Sequence, residues 1–433
     1  MCKIKIKDIG PLKKVDIELE KVTVVIGPQS SGKSTLAKLI CFCQWVEKRC
    51  YINFEEESSR FMSEKVFVDK LSEYHRMYGY ISVNSYLLYK GNYVDVELKG
   101  CDVTIRKSEA FNQYLYPKIC YIPAERNIVS AVPNIRKYND KNDSMLYFMY
   151  DWSDAREYLK DVDFLYLLEK DIKYHYDKKN ESDIIIDGET TLKLMNASSG
   201  IQSLVPLYTV LISVLESVYI RYKPLSIEQR KQVEDASKIS KRVAEQLSNA
   251  MQEAKKSGKA PGEISINLEG EENNTLFLSI IRQEQEAKDM LDSYNRKFFY
   301  KNTHLYIEEP EQNIFPNTQA RFMYWLLQEL QHKDRNHTAF ITTHSPFVLF
   351  ALNNCLMGGL VNSKIKDAEL KKQLSSTRAW IEPKQVAVYE LHDGELISIQ
   401  DEDNILLNNY LNKAHQQIAS EYLTMLSYYE PGK

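Results

Sequence analysis

The sequence predicts an α/β fold with a mixed central sheet, an antiparallel β part and a charged helical insertion. Three observations predict it. Near the N-terminus a β-rich stretch leads into "GPQSSGKST", Gly27 to Thr35, and a helical pattern follows. The segment "SYLLYKGNYVDVELKGCDVTIRK" alternates in three short runs broken at Lys90-Gly91 and Lys99-Gly100, the pattern of an antiparallel meander. Further on, "HLYIEEPEQNIFP" and "TAFITTHS" each read as an apolar strand ending in polar residues, with helical sequence between them.

The elements follow in order. "MCKIKIK" alternates like a strand; Val15, Ile17 and Leu19 alternate next, and "KVTVVI" runs into the glycine loop. Lys33 to Val46 reads as a helix. Residues 142–172 read as helical and rich in Tyr and Leu. Residues 183–195 read as two strands across an Asp187-Gly188 turn, and a long helix is expected from Ile201. Residues 223–262 change character: they are highly charged, with apolar positions at Ile239, Val243, Leu247 and Met251, and they stop at Gly258 and Pro261. This is an amphipathic arm for a partner or, equally, a solvated surface insertion. The expected division is therefore a discontinuous domain over 1–222 and 300–433, interrupted by an insertion over 223–299. "QVAVYELHDGELISIQ" closes the fold as a hairpin turning at Asp393-Gly394.

Composition narrows the class. The 433 residues are 43% hydrophobic and 27% charged, enough to bury a sizeable core. The net charge of −4 carries no basic footprint of a dedicated nucleic-acid binder, so nucleic acid stays possible but is not indicated. Seven cysteines sit at 2, 41, 43, 50, 101, 120 and 355; the cluster Cys41, Cys43 and Cys50 lacks a fourth metal ligand and CxxC spacing and reads as buried free thiols, which suits a reducing cytoplasm. "MCKIKIK" has no apolar signal core, and a cytoplasmic chain is expected. The apolar stretch from Gly200 to Ile220 is long enough to cross a membrane, but Glu216 within it argues for a core helix and against a membrane partner.

The loop fits GxxxxGK[ST] throughout. Its amides, from Gly27 through Gln29, Ser30, Ser31 and Gly32 to Thr35, can wrap a phosphate at the positive end of a helix. Lys33 is expected at the β- and γ-phosphates and Ser34 on Mg²⁺. In "LYIEEPE", Glu308 is the candidate Mg²⁺ acid, through water, and Glu309 the group that orients or deprotonates an attacking water. "NASSGIQS", Asn196 to Ser203, places Ser199, Gly200 and Gln202 at a helix start, where amides and a hydroxyl can bind phosphate. It reads equally as a capped helix after a hairpin. In "ITTHS", His344 ends a strand and can touch a γ-phosphate.

The order of loop, serine-glycine motif, acidic strand and histidine is unlike a Ras-like switch, a small kinase or an AAA+ motor. It resembles the ABC ATPase superfamily. The resemblance implies an ABC-type head that binds and hydrolyses ATP with Mg²⁺. It also implies a homodimer, or a higher homo-oligomer, in which Ser199 and Gly200 cap the nucleotide held by the partner. The opening "IKIKDIGPLKKVDIELEKVTVVIGPQSSGKST" is similar to the starts of RecF, SMC and OLD-type ATPases. "YIPAERN", "ASSGIQS", "EEPEQNIFP" and "TTHSPFVL" resemble stand-alone OLD-like ATPases that accompany effectors, nucleases or toxins, in antiphage systems such as Septu, PARIS and some retrons. The alternative is a RecF- or SMC-like repair ATPase that clamps DNA.

The sequence departs from the ABC pattern in three places. Ser198-Ser199-Gly200-Ile201-Gln202 stands where LSGGQ is usual, Glu308 stands where Asp is usual, and "PAERN" holds no glutamine in the segment where transporter heads carry one. Too few residues follow His344 for a Toprim nuclease domain, and none is expected.

Overall fold

The computed structural model describes residues 2–109, 114–131, 143–159, 164–168, 171–220 and 300–429. The insertion expected over 223–299, with the arm at 223–262, lies outside the described residues.

Among the described residues eleven strands form one sheet, in the order Asp102–Lys107 (β6), Val94–Lys99 (β5), Tyr86–Lys90 (β4), Lys3–Ile9 (β1), Leu12–Glu18 (β2), Glu395–Ser398 (β15), Val386–His392 (β14), Val22–Ile26 (β3), Thr338–Thr343 (β13), Asn302–Glu308 (β12), Pro117–Ile122 (β7). The parallel half holds β14 (Val386–His392), β3 (Val22–Ile26), β13 (Thr338–Thr343), β12 (Asn302–Glu308) and β7 (Pro117–Ile122). These strands are buried along most of their length, as strands covered on both faces are. The antiparallel half holds β1 (Lys3–Ile9), β2 (Leu12–Glu18) and the meander β4 (Tyr86–Lys90), β5 (Val94–Lys99) and β6 (Asp102–Lys107). The antiparallel half was legible in the alternation and most of the parallel half in its apolar runs, while β7 was not read as a strand. What the pattern did not reveal is their fusion. The hairpin strand β15 (Glu395–Ser398) pairs with β14 on one side and meets β2 on the other at Glu395 and Lys14. The expected antiparallel part is thus a continuation of the central sheet.

Alternation along each central strand builds two cores. Val22, Val24 and Ile26 face one side with Leu305, Ile307, Ala339 and Ile341. Val25, Tyr306 and Phe340 face the other. The first side is covered by helices Ser144–Leu159, Ser199–Ile212, Pro316–Leu330 and Pro346–Val361, the second by the helix Lys33–Ile52. Leu326, Leu327 and Leu330 of Pro316–Leu330 are fully buried, and each contributes roughly 1.5–3 kcal/mol. Cys41, Cys43 and Cys50 lie buried in the second core as free thiols, and burial raises the pKa of each.

Residues 142–172 are not helical throughout. The helix ends at Leu159, Leu165–Tyr166 forms the short strand β8, and β9 (Ile172–Asp177) begins at the end of the span. These two strands complete a second, antiparallel sheet with β10 (Ser182–Asp187) and β11 (Thr190–Lys193). Buried Tyr174 of β9 packs beside buried Trp152, so tertiary contact overrides a helical composition. The expected turn at Asp187-Gly188 is present, with Gly188 at φ +57°.

The last helix, Tyr410–Leu426, is capped by Asn409, whose Oδ1 accepts from the amides of Leu411 and Asn412. It has no buried residue, and Ile418, Tyr422, Leu423 and Met425 are exposed along it.

Candidate functional site

Parallel register gathers the site. Ile26 pairs with Thr343, and Thr342 pairs with Glu308, so the glycine loop, His344 and the acid pair leave adjacent strands at one edge. Ile122 pairs with Ile307 one strand further on, which brings "PAERN" to the same edge. Ligands of open α/β sheets bind at this carboxyl edge.

The loop needs its glycines for close approach. A Cβ on Gly27 would stand 2.3 Å from the Leu391 carbonyl oxygen, and Gly32 sits at φ +107°. Ser30 also takes a left-handed φ, +63°. Gln29 and Ser30 are exposed, Ser31 and Ser34 half-buried, and Lys33 and Thr35 buried. The Lys33 ammonium turns back on its own loop, donating to the carbonyls of Gly27 at 3.0 Å and Pro28 at 2.9 Å. Burial lowers its pKa to about 8, while Glu309, Glu311 and Glu308 pull it upward, which places all three carboxylates in the field of the amine.

Each acid is held differently. Glu308 is buried, and the Tyr121 hydroxyl donates to its Oε1 at 2.5 Å. Glu309 takes a left-handed φ of +43°, and its amide continues the ladder to Thr342 at 2.8 Å. That turn swings its carboxylate toward His344, whose Nε2 lies 3.5 Å from Oε1. The hydrogen bond from His344 is the main reason the Glu309 pKa lies below the ordinary carboxylate value. Glu311 accepts from the Thr343 hydroxyl at 2.8 Å and the His344 amide at 2.6 Å. It therefore fixes the strand end that carries the histidine, and burial raises its pKa.

Four residues of this edge escaped the sequence reading of roles. Tyr121 and Arg126 lay within the quoted "YIPAERN", and Glu311 was the third acid of "EEPE"; each carried a signal of composition only. Tyr410 carried none. Its hydroxyl reaches 383 positions back to donate to the Gly27 carbonyl at 2.9 Å, and only folding brings them together.

Among the described residues Ser199, Gly200 and Gln202 make no hydrogen bond to the side chains of this cluster. Ser198, not Ser199, is the cap: its Oγ accepts from the Ile201 amide, and the helix begins at Ser199, two residues before the expected start. Ser198 and Ser199 are exposed. Gln202 turns back, donating to the carbonyls of Met195 at 2.9 Å and Ala197 at 3.0 Å. A Cβ on Gly200 would stand 2.8 Å from the Asn313 carbonyl oxygen, so the helix end packs on the turn after the acids. Among the described residues no hydrogen bond joins Ser199 or Gly200 to the glycine loop.

Residues 1–349 match the family described as "AAA ATPase domain". The chain belongs to this ATPase family. It binds nucleotide and hydrolyses ATP. The matched span holds the loop, Ser199-Gly200, the acids and His344, so the family assignment covers the motif order with its long spacing between loop and acids. Solved structures with similarity include the SMC head domain from Thermotoga maritima, at 12% identity and TM-score 0.36 over 92% of this chain and 98% of that one. They also include the recombination mediator RecF, at 12% identity and TM-score 0.33 over 92% and 97%. An ATP-binding cassette of an ABC transporter in its ADP conformation stands at 11% identity and TM-score 0.33 over 93% of each chain. No curated protein matches the sequence. Among the described residues one helix, Ser199–Ser217, is long and apolar enough to cross a membrane, and 67% of its apolar window is buried within the protein.

The site fits a hard divalent cation. Ser34 and Glu308 offer oxygen donors, and the Tyr121 bond engages one carboxylate oxygen of Glu308, while among the described residues no donor reaches the other. Two buried hydroxyls at the same edge, Ser31 Oγ and Thr342 Oγ1, have no hydrogen-bond partner among the described residues.

Proposed function

We propose that this ATPase is an ABC-type head that closes on a second copy of itself with two ATP molecules between the heads. In this reading the closed dimer is a switch or scaffold for a separate effector, a nuclease or toxin, in antiphage defence. One observation carries the dimer: the loop, the acids and His344 converge in one chain, while the Ser198-Ser199 helix end faces solvent with no bond to them. A helix N-terminus with free amides is an anion site, and a partner's triphosphate is the anion that would complete it.

The roles follow from the geometry. Loop amides from Gly27 to Thr35 hold the phosphates, and Lys33 exchanges its loop carbonyls for phosphate oxygens. Ser34 and Glu308 hold Mg²⁺, which when bound neutralises charge developing on the transferred phosphoryl group. Glu309, ionised and half-buried, accepts a proton from the attacking water, and His344 fixes its carboxylate and faces the γ-phosphate. Ser199 and Gly200 cap the γ-phosphate of the partner's nucleotide.

The effector role is supported by the sequence resemblance of "YIPAERN", "ASSGIQS", "EEPEQNIFP" and "TTHSPFVL". It predicts a nuclease or toxin reading frame beside this gene; ordinary metabolic neighbours on both sides would remove it. Duplex-DNA binding that steepens as salt falls would replace the effector with a DNA clamp. The dimer is tested by light scattering on Glu309→Gln, which is expected to bind ATP normally and turn over about 10²–10⁴-fold more slowly. Mg-ATP should double its mass or compact an existing oligomer. A mass and shape indifferent to ATP would end the sandwich reading.

A further inference from the structure

Arg126 is fully buried, yet among the described residues no carboxylate pairs with it. It sits on the single turn Ala124–Asn127 after β7. Its guanidinium donates to five backbone carbonyls. Nε reaches Ser203 at 3.3 Å; Nη1 reaches Pro123 at 3.4 Å and Glu308 at 3.0 Å; Nη2 reaches Glu309 at 2.9 Å and Pro310 at 3.3 Å. A guanidinium has five N–H donors in one rigid plane, and all five are used. Burial lowers its pKa to about 10, so it remains a cation at neutral pH.

The acceptors come from three segments: the exit of β7, the backbone of both acids with Pro310, and the first turn of the helix Ser199–Ile212. Pro206 has no N–H, so it cannot serve the carbonyl of Gln202 four residues back. The Ser130 hydroxyl takes that carbonyl instead, at 2.8 Å. The segment 123–131 thus holds successive carbonyls, 202 and 203, of the turn that presents Ser199 and Gly200.

We infer that Arg126 is a positioning residue that ties the exposed end of the Ser199 helix to the backbone of the acid pair, so that nucleotide held in one head sets the helix end offered to the second copy. This deepens the sandwich reading and rests on it. A change in the path of Glu308 and Glu309 on loading moves two of the five acceptors of one rigid plane. The same plane holds Ser203, so the helix turn follows. Lysine keeps the charge but cannot span five carbonyls in a plane.

The test compares Glu309→Gln with Glu309→Gln/Arg126→Lys. Binding of a fluorescent ATP analogue should stay within about threefold, while the Mg-ATP concentration that doubles the mass should rise at least about tenfold. Ser130→Ala in the same background, removing only the adjacent link, should raise it about threefold. Amide exchange gives a readout that a purely structural clamp would not move. In a Ser199→Arg/Glu309→Gln monomer, ATP should slow exchange at residues 199–205 as well as at the loop, and Arg126→Lys should abolish the first response and keep the second. An Arg126→Lys protein that dimerises at the parental ATP concentration overturns the inference. Equal loss of thermal stability and nucleotide binding, or a Ser199 turn blind to ATP in the monomer, overturns it as well. If the Glu309→Gln parent itself ignores ATP, the sandwich fails first, and the monomer exchange still decides whether the acids and the helix communicate.

Discussion

The glycine-loop end and the Ser199 end are built from the same materials, strand exits and helix starts, yet they are finished differently. At the loop end the lysine and the three acids are each engaged by a neighbour within the site. Lys33 holds two loop carbonyls, Tyr121 holds Glu308, His344 meets Glu309, and Glu311 holds the strand that carries His344. At the other end Ser198 and Ser199 are exposed, and the cap bond to Ile201 is long, 3.5 Å. One end is organised within the chain, and the other is organised from behind, by Arg126, Ser130 and Asn313. The difference teaches that one motif can be ordered by contacts among its own functional groups and another by contacts made behind it.

Mutations at the two ends should separate them. Lys33→Ala should lower ATP affinity by about 100-fold or more, since charge-assisted bonds to phosphate vanish with it. Titration with a fluorescent ATP analogue measures this, and near-normal affinity would break the loop assignment. Ser199→Arg should leave that affinity within about twofold, yet cut turnover at least tenfold and remove ATP-dependent dimerisation. Turnover at the parental rate would show that the exposed helix end never meets a partner's nucleotide.

Tyr121→Phe sharpens the loop end. It removes a hydroxyl bond to a carboxylate, worth about 1.5–3 kcal/mol. The Mg²⁺ concentration that supports ATP binding should rise roughly tenfold, with little change in melting temperature. An unchanged Mg²⁺ requirement would mean that Glu308 finds its geometry without the tyrosine. Gly200→Ala sharpens the other end and has the smallest effect. Its methyl meets the Asn313 carbonyl and should lower stability by about 1–2 kcal/mol, seen as a fall of a few degrees in melting temperature. An unaltered melting temperature with impaired dimerisation would assign this glycine to the ligand and not to packing.

The strands were legible because their signals are local. Alternation in "KIKIKDI" and the meander, the apolar run before Gly27 and the Asp393-Gly394 turn each need only a few neighbouring residues. The reading failed at 142–172 because short aromatic strands share their composition with helices, and only pairing with β9 and packing beside Trp152 decide between them.

The sequence by itself determined the α/β class, the glycine loop, the acidic strand end and the histidine, because strand exits carry their chemistry within a few residues. Tertiary structure alone decided which of these meet. Parallel register placed the loop, Glu308, Glu309 and His344 at one edge. It also joined the antiparallel strands to the central sheet, sent Tyr410 to Gly27, and made Arg126 the tie between the acids and the Ser199 helix. Those contacts span tens to hundreds of positions, and a carbonyl that accepts a buried guanidinium leaves no mark on the side chain that owns it.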